Sequence, residues 1–179
     1  MSRIPHARRD ELAPEQQKIW DHIHAARSGG GGPYSMLMHS PSMASHFAAT
    51  EDYFRNHSLL ADADREIIIL TAAREVGAHY AWTRHEIRAH NVGIKPEVIE
   101  ALRARAPTDQ FTGKERLLVD FTRALLRDHE LSNELFAQME TEFGHAKFIE
   151  AVGLLGHYIT IGTVIRTFDV KPPEGSKTF

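Results

Sequence analysis

Apolar residues recur at three- and four-residue spacing along most of this chain, and no stretch alternates apolar with polar for any length. That pattern gives helices one face to bury and gives a sheet none, so the expected fold class is all-α, with about seven to eight helices. Ile19, Trp20 and Ile23 mark a helix over residues 10–27, opened by Leu12, Pro14 and Glu15. Residues 28–33, with four consecutive glycines, read as a mobile loop; Pro33-Tyr34 follows where a phosphate-cradling loop needs Lys-Ser/Thr. A helix over 42–56 comes next. The run Ile67-Ile68-Ile69-Leu70 fits a buried strand by itself, but its continuation through Ala72-Ala73-Arg74-Glu75 favours a helix, capped by Asp62 or Asp64 and broken at Gly77.

Further helices are expected over 79–91, ended by Gly93, and over 96–105, with Pro96 in the permitted first turn. Thr112 and Glu115 form a capping-box pattern ahead of a helix to Asp128, and Ser132 begins another with Leu135, Phe136 and Met139. The last long helix, 146–167, should turn Phe148, Ile149, Val152, Leu155, Ile159 and Ile165 inward, with Gly153, Gly156 and Gly162 allowing close helix contact. The organisation expected is one domain over 1–179, with a helical N-terminal extension over 1–40 and a disordered tail over 171–179 beginning at Lys171-Pro172-Pro173.

Composition narrows the chemistry. The net charge of −3 implies no strong pull toward nucleic acid or an anionic membrane. Residues 1–10 lack the apolar segment of a secretory signal and no apolar run approaches a membrane span, so the expected location is cytoplasmic. Zero cysteines remove disulfides, thiolate nucleophiles and zinc–sulfur sites together. The 12 histidines invite a search for metal ligands. However, His79, His85 and His90 are six and five residues apart, which sends them to different helix faces, and no Glu-x-x-His pair occurs twice. No metal and no cofactor are expected, and neither a Gly-x-Ser-x-Gly elbow nor a Gly-x-Gly-x-x-Gly fingerprint is present.

One segment stands apart: Arg65-Glu66-Ile67-Ile68-Ile69-Leu70, then Ala78-His79-Tyr80-Ala81-Trp82-Thr83-Arg84-His85, then Ala89-His90-Asn91-Val92-Gly93-Ile94. It resembles the carboxymuconolactone decarboxylase family and the related alkylhydroperoxidase D-like proteins. The peroxidase branch carries Glu, eleven residues, Cys, two residues, Cys, three residues, His. Glu66 and His85 match its ends, and Ala78 and Ala81 stand at the two cysteine positions. The resemblance covers residues 44–102 and extends more weakly from Gly153-Leu154-Leu155-Gly156-His157-Tyr158 to Phe168. Loss of both cysteines excludes the thiol peroxidase mechanism. The cysteine-free branch often has Glu just before the Trp, where this chain has Ala81.

The resemblance implies a homo-oligomeric, cofactor-independent lyase or isomerase acting on a small carboxylated lactone or enolisable acid. Glu66 and His85 would be its proton-transfer pair. When such a lactone loses carbon dioxide, the electron pair delocalises into the lactone carbonyl, and a proton must then reach the ring. His85 is of the residue type suited to that task near neutral pH, and the carboxylic acid of Glu66 in its apolar run is the alternative donor. A donor or cation near the lactone oxygen is also needed, and Arg84, His79, Tyr80, His157 and Arg166 are candidates, with Trp82 beside them as a further substrate-binding residue. Plainer roles stand beside these: Glu66 would complement a helix dipole by roughly 0.3–1 kcal/mol, while His85 and Trp82 would be core residues. The alternative function is a catalytically inactive small-molecule-binding or assembly protein, for which Ala81 is the motive.

Overall fold

A computed structural model describes residues 2–25, 27 and 32–179. Among them there is no strand, and eight α-helices form: α1 (Pro14–Ala25), α2 (Pro33–Leu37), α3 (Pro41–Asn56), α4 (Asp62–Val76), α5 (His79–Asn91), α6 (Pro96–Arg103), α7 (Gly113–Arg123) and α8 (Asn133–Thr167). The loop expected over 28–33 lies outside the described residues up to position 31, and Pro33 already belongs to α2.

The fold is organised around α4. Every residue from Glu66 to Ala73 is buried, because α5, α7 and α8 pack against it from different sides. A helix enclosed on all sides has no polar stripe, which is why its sequence mimics a buried strand. Gly77, at φ 74°, ends α4 in the left-handed region, and the Ala78 amide donates back to the Ala73 carbonyl at 2.8 Å. The chain re-enters helix at His79, so α4 and α5 form a tight hairpin. Glu66 lies eleven residues before Gly77 and His85 eight after it, which brings the two to similar levels on facing helices.

Several boundaries differ from the sequence expectation for identifiable reasons. The first helix starts at Pro14, preceded by a separate 3₁₀ turn, Arg9–Glu11. Ala61 occupies the cap position of α4; Asp62 and Asp64 instead pair with Arg65 (2.7 Å) and Lys114 (2.9 Å). The α6 helix stops at Arg103, two residues before Arg105 takes a positive φ. Thr112 precedes α7 but its side chain makes no capping hydrogen bond, since Gly113 enters at φ 50°. The turn that continues α7 over Ala124–Asp128 is π-helical. Ser132 does cap α8, accepting from the Leu135 amide at 3.1 Å.

Gly144 (φ 63°, ψ 172°) kinks α8 and resets its rotation. The face beyond the kink that meets the core is Phe148, Ala151, Leu154, Leu155, Tyr158, Ile161 and Ile165, whereas Ile149 and Val152, expected inward, are 72% and 45% exposed. A Cβ on Gly162 would lie 2.6 Å from Val76 Cγ2 and one on Gly153 3.4 Å from Phe54, so both glycines are close contacts, while Gly156 faces open space. An 18-residue window of α8 reaches a mean hydropathy of 1.6, which corrects the expectation that no segment is long and apolar enough to span a membrane; that helix packs on α4 and α7. The tail expected to be disordered lies against the helical body. Phe179 stacks on His79 (4.2 Å) and meets Trp82 edge-on (5.4 Å), and Arg103 donates to the Thr178 carbonyl. Aromatic burial at its last residue supplies the anchor that Lys171-Pro172-Pro173 concealed.

Candidate active site

The α4–α5 hairpin brings Glu66 and His85 together. His85 Nδ1 lies 2.7 Å from Glu66 Oε2, and both side chains are buried. A carboxylate accepts, so Nδ1 carries a proton, and in its neutral form the ring presents a lone pair at Nε2. From α8 the Tyr158 hydroxyl reaches that lone pair at 3.0 Å, its ring edge-on to the imidazole with centroids 5.0 Å apart. Burial drives the Tyr158 phenol far above its ordinary value, so it holds its proton and donates. Glu66, His85 and Tyr158 thus form a linear relay drawn from three helices. Arg88, one turn along α5 from His85, brings Nη1 to 3.5 Å from Nε2, long for a hydrogen bond.

A charged cluster flanks the relay. Glu51 on α3 pairs with Arg55 on the next turn and with Arg27 at 3.4 Å; Arg27 also reaches Asp52 at 2.9 Å and lies over the Tyr34 ring at 4.5 Å. Burial alone would raise the Glu51 carboxyl, but the Arg55 and Arg27 guanidiniums outweigh it and hold the group down to about 2. Tyr34, from α2, is pushed upward by its burial and by the same carboxylate.

Two cavities meet at this point. The first, a cavity of about 120 Å³ partly open to solvent, is bordered by Tyr34, Tyr80, Ala81, Arg84, Ile161 and Ile165. The second, about 270 Å³ and also partly open, lies on the Glu66 side with Asp62, Arg65 and Asn91. Glu51, Arg55, His85, Arg88 and Tyr158 border both. At the rim of the first, Gly32 (φ 75°) presses on the Tyr80 ring so closely that a Cβ there would lie 2.4 Å from Tyr80 Cζ. Only glycine admits that approach.

Of the residues singled out in the sequence, Glu66, His85, Tyr80 and Arg84 lie at these cavities and four do not. Trp82 is fully buried, donating Nε1–H to Glu86 at 3.1 Å with Arg103 over its ring. His79 stacks under Phe179 on another face. His157 is wedged among Phe47, Phe54 and Tyr158, and Arg166 donates to the Val76 carbonyl at 3.1 Å. All four belong to helices that also carry site residues, but their side chains leave on other faces. The relay's third member, Tyr158, and the flanking Glu51, Arg55 and Arg88 were missed. Arg88 had a readable signal, since its i+3 spacing from His85 puts both on one helix face.

The geometry has counterparts among solved structures. An uncharacterized peroxidase-related protein from Ralstonia eutropha JMP134, described as an alkylhydroperoxidase AhpD core, superposes with a TM-score of 0.75 at 16% identity, covering 97% of this chain and 93% of that one. A Cys→Ala variant of the debrominase Bmp8, in complex with 2,3,4-tribromopyrrole, gives a TM-score of 0.77 at 13% identity, covering 97% and 95%. An uncharacterized peroxidase-related protein from Silicibacter sp. TM1040 gives 0.75 at 16%, covering 97% and 92%. This chain therefore has the alkylhydroperoxidase D-like fold over nearly its whole length. No protein-family model matches the sequence, and no curated protein matches it significantly.

Proposed function

We propose that this protein is a cofactor-independent lyase or isomerase acting on a small carboxylated lactone or enolisable acid, with proton transfer at His85. The observation that carries the reading is the Glu66–His85–Tyr158 relay bordering a cavity large enough for a small ring. Glu66 fixes the tautomer and stabilises the imidazolium when Nε2 takes up a proton. In decarboxylation, the bond from the ring to the carboxylate breaks and carbon dioxide leaves. Its electron pair moves through the ring into the lactone carbonyl, giving a dienolate. A proton that His85 Nε2 has first taken up from solvent, or the proton of the Tyr158 hydroxyl, then transfers to a ring carbon, and solvent replaces it. In isomerisation, the same nitrogen removes a proton from one carbon and returns it to another. The chain contains no cysteine, so no thiolate takes part in either route.

Incubation with γ-carboxymuconolactone, followed by ultraviolet absorbance and carbon dioxide release, tests this directly. Turnover by the wild type, lost in His85→Ala, supports the reading. Lactones that bind across a screen without turnover would favour the inactive binding protein, the reading suggested by Ala81 in the wall of the first cavity.

A further inference from the structure

The cavity beside His85 has a charge that the chain as a whole does not. The protein carries a net charge of −3, yet the first cavity is bordered by four arginines, Arg27, Arg55, Arg84 and Arg88, against one carboxylate, Glu51. A partly enclosed cleft lined by one sign of charge concentrates ligands of the other. Two of the four are already neutralised, because Arg27 and Arg55 are bound to Glu51 and Asp52. Arg88 differs from them. It is half-buried, and among the described residues it makes no ion pair and its guanidinium has His85 Nε2, at 3.5 Å, as its only hydrogen-bonding neighbour. It also stands one turn from Arg84, and both side chains border the same cavity. A bound anion would give Arg88 the ion-pair partner it lacks among the described residues.

We propose that this cavity seats the carboxylate of a small planar acid, and that Arg88 is the residue that recognises it. The proposal names the substrate class and specificity residue of the site read above, and rests on that reading of the cavity. Seated on the Arg88 fork, the anion lies within reach of the Tyr158 hydroxyl, which would turn from His85 Nε2 to donate to it. Its ring would then occupy the space bounded by Tyr80, Ile161 and Ile165. Selection would fall on charge, with the neutral amide of the same acid rejected for want of a charge to pair with Arg88.

Calorimetric titration with furan-2-carboxylate, using furan-2-carboxamide as the neutral isostere, tests the proposal without needing turnover. The wild type should bind the acid and not the amide. Arg88→Gln should weaken the acid by about tenfold to a hundredfold, the worth of a charge-assisted hydrogen bond. Arg88→Lys, which keeps the charge but not the fork, should fall between the two. Arg116→Gln, altering an exposed arginine that lies 3.5 Å from Asp120, should bind like the wild type. Equal binding of acid and amide, no binding of the acid at millimolar concentration, or undiminished binding by Arg88→Gln would overturn the proposal. Each of those results leaves proton transfer to be judged by the lactone assay. Conversely, selective acid binding with no lactone turnover would keep the carboxylate seat and remove the proton-transfer reading.

Discussion

Glu51→Gln should be the most informative perturbation of the site's framework. The folded protein holds this carboxyl at about 2 against an ordinary value of 4.5, in a side chain only 7% exposed. A depression of that size corresponds to about 3 kcal/mol of stability at neutral pH. The amide keeps the shape but removes the charge, leaving Arg27 and Arg55 facing each other across a neutral group. A loss of about 3 kcal/mol and a melting temperature lower by roughly 6–12 °C are expected for a chain of this length. The pH dependence fixes the cause. Because the folded value lies below the unfolded one, the contribution is full above about 4.5 and fades as pH falls toward about 2. Urea unfolding followed by far-ultraviolet circular dichroism should therefore show a constant gap between wild type and variant from pH 7 to 5, shrinking below that. Other carboxylates titrate in both proteins and cancel in the difference. A gap under about 1 kcal/mol at pH 7, or one that does not shrink between pH 5 and 3, would refute the reasoning that a buried carboxylate clamps this wall.

Two glycines of α8 should respond oppositely to alanine. Gly162→Ala drives a Cβ against Val76 at the end of α4 and should cost about 1–3 kcal/mol, whereas Gly156→Ala meets nothing and should gain roughly 0.5–1 kcal/mol of helix propensity; thermal melts that moved both the same way would contradict the close α4–α8 packing. We also expect self-association through the exposed apolar residues Ile149 and Val152 of α8, so light scattering at micromolar concentration should give a mass above 20.2 kDa, and a mass of 20.2 kDa would rule it out.

What the sequence disclosed, and what it did not, follows from the range of the forces involved. The α4–α5 hairpin was readable because its signals are local: an apolar run, a glycine terminator and a restart at His79. The Glu66–His85 contact followed from the spacing matched in the family resemblance, and the 2.7 Å contact is its structural expression. Side-chain direction was harder. Trp82 and His79 sit on the same helix as His85, but lying three and six residues before it they are turned by about 60° and 120°, toward the tail and Arg103. Tyr158 adjoins His157, and only the rotation set by the kink at Gly144 decides which of the two faces His85. The buried Glu51–Arg27–Arg55 cluster depends on pairing across 24 residues, which no local pattern announces. The anchoring of Phe179 likewise depends on His79, a hundred positions away.

The central claim is that Glu66 and His85 act as one proton-transfer unit, and a double-mutant cycle on turnover tests it most directly. With γ-carboxymuconolactone or any lactone acid found to be a substrate, His85→Ala and Glu66→Gln should each lower kcat by about a hundredfold to ten-thousandfold. The double variant should fall well short of the product of the two losses, because removing either member already disables the pair. Melting temperatures shifted by only a few degrees would show that the fold survives all three. Near-full activity in both single variants, or losses that multiply independently, would contradict the account and leave the 2.7 Å contact as a structural hydrogen bond.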